Sequence, residues 1–145
     1  MKTILITGAT SGIGLAAAKK LANDKNQLIL CGRRQQKLDE ISKELSTVTN
    51  VLSLCFDVSD KNEVNKILGN LPEKFSSIDI LINNAGNAHG LDTIQEGSLD
   101  DWDNMIDSNV KGLLYVSRVI MPKMIEKQIG HIINIGSLAG REVYE

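Results

Sequence analysis

A short, continuous run of mainly Ile, Leu and Val recurs five times along the chain, and a segment with helical spacing follows each of the first four runs. The five runs are residues 3–7, 27–31, 51–56, 78–83 and 131–135. Strands that are apolar throughout are usually buried on both faces, which is typical of a parallel sheet with helices on either side. Because crossovers between parallel strands are right-handed, we predict an α/β doubly wound (Rossmann) fold with strand order 3-2-1-4-5.

The segments between these runs predict four helices. The first covers residues 15–23. Apolar stripes mark the second and third helices: Leu38, Ile41 and Leu45, and then Val64, Ile67, Leu68 and Leu71. A long helix is predicted over 99–127, opened by a capping signal at Ser98 and Asp101. Pro122 is expected to kink or interrupt that helix near its end.

Composition and charge narrow the classes of function. The 145 residues suffice for one domain, and a formal net charge of -2 without a long basic block argues against a nucleic-acid or anionic-membrane surface. No segment approaches the length of a membrane span, and the first apolar run is too short for a signal peptide.

Cys31 and Cys55 lie in apolar strand-like runs, so we expect buried free thiols and a cytoplasmic protein. His89 and His131 lack metal-ligand spacing, and we predict no metal site.

The stretch "TGATSGIG" at residues 7–14 joins the first strand to the first helix. Gly8 allows a sharp turn, Gly12 allows the backbone to approach a pyrophosphate, and Gly14 allows close packing of the helix, whose N-terminus attracts anions. Thr10, Ser11 and Ile13 complete this candidate cofactor-binding loop. The spacing G-x-x-x-G-x-G differs from G-x-G-x-x-G, and no lysine occupies the Walker position, so an NTPase loop is not expected. A tight turn that uses glycine only for its geometry is the alternative.

The second strand ends without the acidic residue that an NAD site uses to hold the ribose 2′-hydroxyl. "CGRR" places Arg33 and Arg34 there instead. Guanidinium groups bind a phosphate through charge-assisted, bidentate hydrogen bonds. The pattern therefore favours NADP over NAD, unless both arginines merely solvate the start of a helix.

Five motifs in sequence order give the chain a specific resemblance. They are "TGATSGIG", "DV" at 57–58, "NNAG" at 83–86, the Asn of "SNVKG" at 108–112 and the Ser of "INIGS" at 133–137. Over its whole length the chain resembles the short-chain dehydrogenase/reductase family. In that family the aspartate corresponding to Asp57 hydrogen-bonds the adenine, and Val58 lines its pocket. Asn84, Ala85 and Gly86 are implied to lie beside the cofactor ribose and to brace the sheet.

The resemblance also implies two residues at the reacting end of the cofactor. Asn109 matches the asparagine whose backbone carbonyl holds a water of the proton relay, and Ser137 matches the serine that orients and polarises the substrate carbonyl. Each motif residue has a plainer alternative. Asp57 or Asp60 could simply cap the next helix, Asn109 could be a buried packing group, and Ser137 could begin a loop.

In the family, a Tyr-x-x-x-Lys pair beyond the serine transfers the proton, and lysine lowers the tyrosine pKa from about 10. The sequence ends at Glu145, before this pair. Tyr144 is seven residues after Ser137 and has no residue four positions on, so we do not expect it to act as the acid. We expect residues 1–145 to be the NADP-binding part of a longer single-domain enzyme, without the family's last helix and strands and inactive alone.

Longer stretches resemble a particular branch of the family. "CGRRQQKLDE", "SSIDILINNAG" and "GHIINIGSLAG" are similar to the NADP-dependent 3-hydroxy acid dehydrogenases, which oxidise serine and allo-threonine. This resemblance implies hydride transfer between nicotinamide and the 3-carbon of such an acid, and a homo-oligomer (tetramer or dimer) with the helix at 99–127 in a subunit interface. The alternatives are a carbonyl reductase of broad specificity and a catalytically inactive nucleotide-binding or regulatory protein.

Overall fold

One parallel sheet of five strands forms the centre of the molecule in the computed structural model, which describes residues 1–90 and 92–142. The strands are β1 (Lys2–Thr7), β2 (Asn26–Gly32), β3 (Asn50–Cys55), β4 (Ile80–Asn83) and β5 (His131–Asn134). Their order is β3-β2-β1-β4-β5 and every neighbouring pair is parallel. The α/β doubly wound fold and the strand order predicted from the sequence are therefore confirmed.

The described residues contain five α-helices, four of which (α1, α2, α3 and α5) pack on the two faces of this sheet. They are α1 (Gly12–Leu21), α2 (Gln35–Leu45), α3 (Lys61–Gly69), α4 (Leu99–Ile106) and α5 (Leu113–Lys127). Along β1 the side chains alternate between two hydrophobic clusters, with Leu5 in one and both Ile4 and Ile6 in the other. The Leu5 cluster contains residues of α3 and α5, and the other cluster contains residues of α1 and α2. The chain thus winds over both faces of the sheet, as the continuous apolar strands indicated.

The two edge strands are less buried than the central three. In β5, Ile132 and Ile133 are half-buried. Cys31 in β2 is buried, and burial raises the pKa of its thiol, whereas Cys55 at the end of β3 is exposed. The prediction that both thiols are buried is wrong for Cys55. Its partner across the sheet is Gly32, which has no side chain to cover it.

The long helix expected over 99–127 forms, but it is not α-helical throughout. Between α4 and α5 the segment Asp107–Gly112 is a π-helix, and it contains Asn109. The capping signal is confirmed, because the Ser98 hydroxyl accepts a hydrogen bond from the Asp101 amide at 3.4 Å. Pro122 lies inside α5, which continues to Lys127, so the proline does not interrupt the helix. Short π-helical segments such as Asp107–Gly112 are frequent at functional sites.

No helix in the described part of the chain is long and apolar enough to cross a membrane. Within the same residues, no group of three or more His, Cys, Asp or Glu side chains could hold a metal ion.

Gly14 is the glycine that most strictly limits the packing of α1. A Cβ at this position would lie 2.4 Å from the Gly8 carbonyl oxygen and 2.4 Å from Asn84 Nδ2. We expect Gly14→Ala to lower the free energy of unfolding by about 1–3 kcal/mol, because the backbone must shift. Urea titration followed by circular dichroism measures this change.

Gly69→Ala is the matched control for that substitution. Gly69 is the last residue of α3, and a Cβ built there has no neighbour within 4 Å. This variant should be neutral or more stable by about 0.4–1 kcal/mol, since alanine restricts the unfolded chain. Equal stability of the two variants would contradict the packing argument for Gly14.

Candidate functional site

An open cleft of about 1070 Å³ lies at the carboxyl ends of the strands. Ligands of open α/β sheets bind at this edge. The predicted site residues that line the cleft are Gly8, Thr10, Ser11, Gly12, Ile13, Arg33, Arg34, Asp57, Val58, Asn84, Ala85, Gly86, Asn109 and Ser137. Gly14 is buried beneath the loop instead of lining the cleft. The fold therefore brings together positions that are up to 129 residues apart in the sequence.

The three glycines of the loop have different surroundings. Gly8 and Gly12 have φ angles of 65° and 53°, a region that glycine adopts without steric cost. A Cβ on Gly8 would lie 2.9 Å from the Ala85 Cα, whereas a Cβ on Gly12 would meet nothing within 4 Å. The loop is thus closed against the sheet at Gly8 and open to the cleft at Gly12.

The N-terminus of α1 faces this opening without a side-chain cap. Ser11 is the N-cap residue, but its side chain makes no capping hydrogen bond. Its hydroxyl instead accepts a hydrogen bond from Arg34 Nη2 at 2.9 Å. The first amides of α1 are therefore left to bind an anion at the positive end of the helix dipole.

Arg34 lies across the glycine loop. Its Nη2 and Nε donate to the Thr10 hydroxyl at 2.8 Å and 3.3 Å, in addition to the contact with Ser11. Arg34 is also the N-cap residue of α2, but it makes no capping bond through its side chain. Because its guanidinium is bound to Thr10 and Ser11, Arg34 does not merely solvate the start of a helix.

Asp57 and Arg33 form an ion pair, with 3.3 Å between Arg33 Nη1 and Asp57 Oδ2. Asp57 Oδ1 also accepts from the amide and hydroxyl of Ser59, at 2.9 and 2.8 Å. Partial burial raises the pKa of Asp57, but the Ser59 hydrogen bonds and the Arg33 charge outweigh this effect, so the pKa lies below its ordinary value. The cap of α3 is Asp60, which accepts from the amides of Asn62 and Glu63.

A set of hydrogen bonds, most of them partly buried, fastens the loop to β4, and its central residue, Thr7, was not among the candidates from the sequence. The Thr7 hydroxyl accepts from the amides of Asn84 and Ala85, both at 3.0 Å, and donates to the Ile82 carbonyl at 3.5 Å. Asn84 Nδ2 donates to the carbonyls of Thr7 and Gly8 at 3.0 and 3.1 Å. In the sequence, Thr7 ends the first apolar run and is also the first residue of "TGATSGIG".

A second polar cluster that sequence reasoning missed includes two residues of the cleft lining, Asn83 and Asn134. Asn83, which is 4% exposed, donates from Nδ2 to Asn134 Oδ1 at 2.9 Å and to the Ser117 hydroxyl at 3.0 Å. These bonds connect the ends of β4 and β5 with α5. They fix the end of β5 three residues before Ser137.

Asn109 is exposed and holds the loop after β4. Its Oδ1 accepts from the Asn87 amide at 2.8 Å, and its Nδ2 donates to the Asn87 carbonyl at 2.8 Å. Gly86 makes room for this contact, because a Cβ there would lie 2.9 Å from Asn109 Oδ1. The alternative that Asn109 is a buried packing group is therefore wrong.

Ser137 lies at the cleft, just after β5, and is exposed. Its hydroxyl accepts a hydrogen bond from the Ala139 amide at 3.2 Å and so caps a short 3-10 turn, Leu138–Gly140. Among residues 1–90 and 92–142, no tyrosine or lysine lines the cleft. Tyr144 lies outside the described residues. His89 and His131 are exposed and do not line the cleft.

Comparison with known proteins gives consistent results. The family model for short chain dehydrogenase matches residues 2–145. NADP-dependent 3-hydroxy acid dehydrogenase YdfG of Shigella flexneri is 42% identical over 141 residues, which are 97% of this chain and 56% of that protein. Sulfoacetaldehyde reductase 2 of Chromohalobacter salexigens is 44% identical over 142 residues, again 97% and 56% of the two chains.

A solved structure resembles the fold closely. The closed form of a serine dehydrogenase complexed with NADP+ has a TM-score of 0.93 and 41% identity, covering 98% of this chain and 56% of that one. This chain thus spans about half the length of the curated relatives it matches.

Removal of the Thr7 hydroxyl tests the attachment of the glycine loop to β4. Thr7→Val keeps the shape of the side chain but leaves the amides of Asn84 and Ala85 without their acceptor. Unpaired, poorly solvated amides are costly, so we expect a loss of about 1–3 kcal/mol in the free energy of unfolding. Chemical denaturation provides the measurement.

Thr47→Val serves as the control, since the exposed Thr47 hydroxyl bonds only to the Glu44 carbonyl in the described residues. A change within about 0.5 kcal/mol is expected there. If Thr7→Val were as mild as the control, the hydroxyl would not be what fastens the loop.

Proposed function

The chain belongs to the short-chain dehydrogenase family, and on that premise we propose that residues 1–145 form the NADP-binding Rossmann domain of a 3-hydroxy acid dehydrogenase. The proposed reaction is reversible hydride transfer between nicotinamide and the 3-carbon of a small 3-hydroxy acid, such as serine or allo-threonine. Similarity to a 3-hydroxy acid dehydrogenase and to a serine dehydrogenase supports this substrate class. The observation that carries the proposal is that the glycine loop, the arginine pair and Ser137 share one cleft.

The glycine loop is suited to a dinucleotide pyrophosphate. The space at Gly12 is open, and the amides at the start of α1 have no side-chain cap. Anionic phosphate oxygens would accept hydrogen bonds from these amides. We assign Asp57 and Val58 to the adenine, and Asn84, Ala85 and Gly86 to the neighbouring ribose. The bound cofactor would supply the hydride acceptor or donor.

The arginine pair is suited to the 2′-phosphate that distinguishes NADP from NAD. Position 32, at the end of β2, holds a glycine instead of a carboxylate. Arg34 has no carboxylate partner among the described residues, so its positive charge is not neutralised. A phosphate dianion would be attracted to this position, and Arg33 would add a second guanidinium.

Ser137 and Asn109 are assigned to the reacting end. The Ser137 hydroxyl would donate to the substrate oxygen and orient it, which favours charge that develops on that oxygen. Asn109 would hold a relay water through its backbone carbonyl. Its side chain is bound to Asn87, which supports a fixed position for the backbone of the π-helical segment.

One comparison favours a second candidate function. The 44% identity to a sulfoacetaldehyde reductase supports the reduction of a small aldehyde or ketone. This activity needs the same NADPH site and the same serine, so it differs from the first candidate in the substrate alone.

These assignments are tested by measuring the turnover of substrates by the protein as its source cell produces it. We expect NADP+-dependent oxidation of L-serine or L-allo-threonine, much slower reaction with NAD+, and weaker turnover of plain ketones with NADPH. Ser137→Ala should lower kcat/KM by about a hundredfold or more while NADPH affinity is kept, because one donor to the developing charge is lost.

Ser46→Ala is the control, since Ser46 is exposed at the end of α2, away from the cleft. Faster turnover of small aldehydes than of 3-hydroxy acids would favour the second candidate. No turnover of either class would leave only cofactor binding.

We extend the proposal to a cytoplasmic homo-oligomer. An apolar stripe of exposed residues runs along the helix from α4 to α5: Ile106, Val110, Leu114, Met121 and Ile125. Apolar stripes of this kind are typical of interfaces, and a second copy with the same stripe would cover it. Both cysteines are free, which is typical of a reducing compartment.

Leu114→Glu tests the interface. Leu114 is 56% exposed in the middle of the stripe, and a carboxylate there would be buried without a partner in an oligomer. We expect sedimentation to show dissociation of this variant to monomers. Val48→Glu, at a 54% exposed position outside the stripe, should leave the assembly intact. A wild-type protein that sediments as a monomer would contradict the proposal.

A further inference from the structure

We infer that Thr10 is a positioning residue that sets the cofactor preference by holding the Arg34 guanidinium. This inference rests on the proposed NADP site and deepens it. Thr10 would act through Arg34, in addition to its place in the glycine loop.

The contacts between these residues are short and specific. Thr10 is 8% exposed, and its hydroxyl accepts from Nη2 and Nε of Arg34 at 2.8 and 3.3 Å. Arg34 as a whole is exposed, and a long exposed side chain samples many rotamers unless it is bound. The Thr10 and Ser11 hydroxyls therefore restrict a guanidinium that would otherwise be mobile.

The chemical nature of this support matters for anion binding. A carboxylate would hold the guanidinium equally well, but it would neutralise its charge. Arg33 has such a partner in Asp57. The two hydroxyls orient Arg34 and leave its full positive charge available to a phosphate.

The position of the Thr10 side chain is itself fixed by Gly32. A Cβ at Gly32 would lie 2.7 Å from Thr10 Cγ2, so the methyl group occupies the space that a side chain at position 32 would need. Threonine has few χ1 rotamers, and placing its methyl group against Gly32 also sets the direction of its hydroxyl. The absence of a side chain at position 32 thus has two effects: it removes the NAD-type acid and it aims Arg34.

Arg34 keeps free donors that an anion could use. Three of the five N–H groups of a guanidinium are used by Thr10 and Ser11, and those of Nη1 have no partner among the described residues. The Thr10 oxygen accepts two hydrogen bonds, so its own O–H can donate. This leaves a fork of donors for phosphate oxygens beside the glycine loop.

Binding of two nucleotides that differ only in the 2′-phosphate tests the inference. The probes are adenosine 2′,5′-bisphosphate and 5′-AMP, titrated calorimetrically at one salt concentration. The measured quantity is the ratio of their two affinities. A defect in the loop as a whole would weaken both nucleotides and leave this ratio unchanged.

We expect the wild type to favour the bisphosphate, and Thr10→Val to reduce the ratio by roughly tenfold through weaker bisphosphate binding alone. Arg34→Gln should reduce the ratio at least as much, and adding Thr10→Val to it should cause no further loss, because Thr10 acts through Arg34. Lys37→Gln, which removes an exposed cation paired with Glu40, should leave the ratio unchanged.

Thr10→Ser and Thr10→Ala provide a second comparison if the valine variant does not fold. The serine keeps the hydroxyl and should retain the ratio within about threefold, whereas the alanine should lose it as the valine does. A wild-type ratio retained in Thr10→Ala, or an additive loss in the double variant, would overturn the inference alone. If the wild type itself failed to favour the bisphosphate, the proposed NADP site and this inference would both be wrong.

Discussion

The junction between β1 and β4 supports the rest of the site. The Thr7 hydroxyl binds the amides of Asn84 and Ala85, and the Asn84 amide group binds the carbonyls of Thr7 and Gly8. These bonds set where the glycine loop leaves the sheet and where the loop after β4 starts. Because α1 packs on the same junction through Gly14, the direction of its N-terminus depends on it too. The shape of the part of the cleft that would receive a pyrophosphate thus depends on a few partly buried hydrogen bonds.

The electrostatics of the cleft depend on how each charge is held. Arg33 and Asp57 partly compensate each other, and the Ser59 hydrogen bonds and the Arg33 charge hold the pKa of Asp57 below its ordinary value. Arg34 is held by the neutral hydroxyls of Thr10 and Ser11 and keeps its charge. The same residue type therefore has two roles at adjacent positions. One arginine is balanced within the protein, and the other is available to an anion.

Much of this architecture could be predicted because its causes are local in the sequence. Continuous apolar runs indicated buried parallel strands, and the strand order followed from the handedness of crossovers. The cap at Ser98 depends on a residue three positions away, and the turns at Gly8 and Gly12 depend on backbone freedom at single positions. The candidate residues could be assigned to one edge of the sheet because they follow the ends of its strands.

The sequence by itself determined the fold class, the position of the cleft and the residue types around it. Tertiary structure alone decided which side chains meet: Arg34 with Thr10, Asn83 with Asn134, and Asn109 with Asn87, in a π-helical turn that apolar periodicity did not reveal. It also left Cys55 exposed, opposite a glycine on an edge strand. The physical reason is that these contacts join residues more than 20 positions apart. Their partners are set by strand register and packing, which no local pattern encodes.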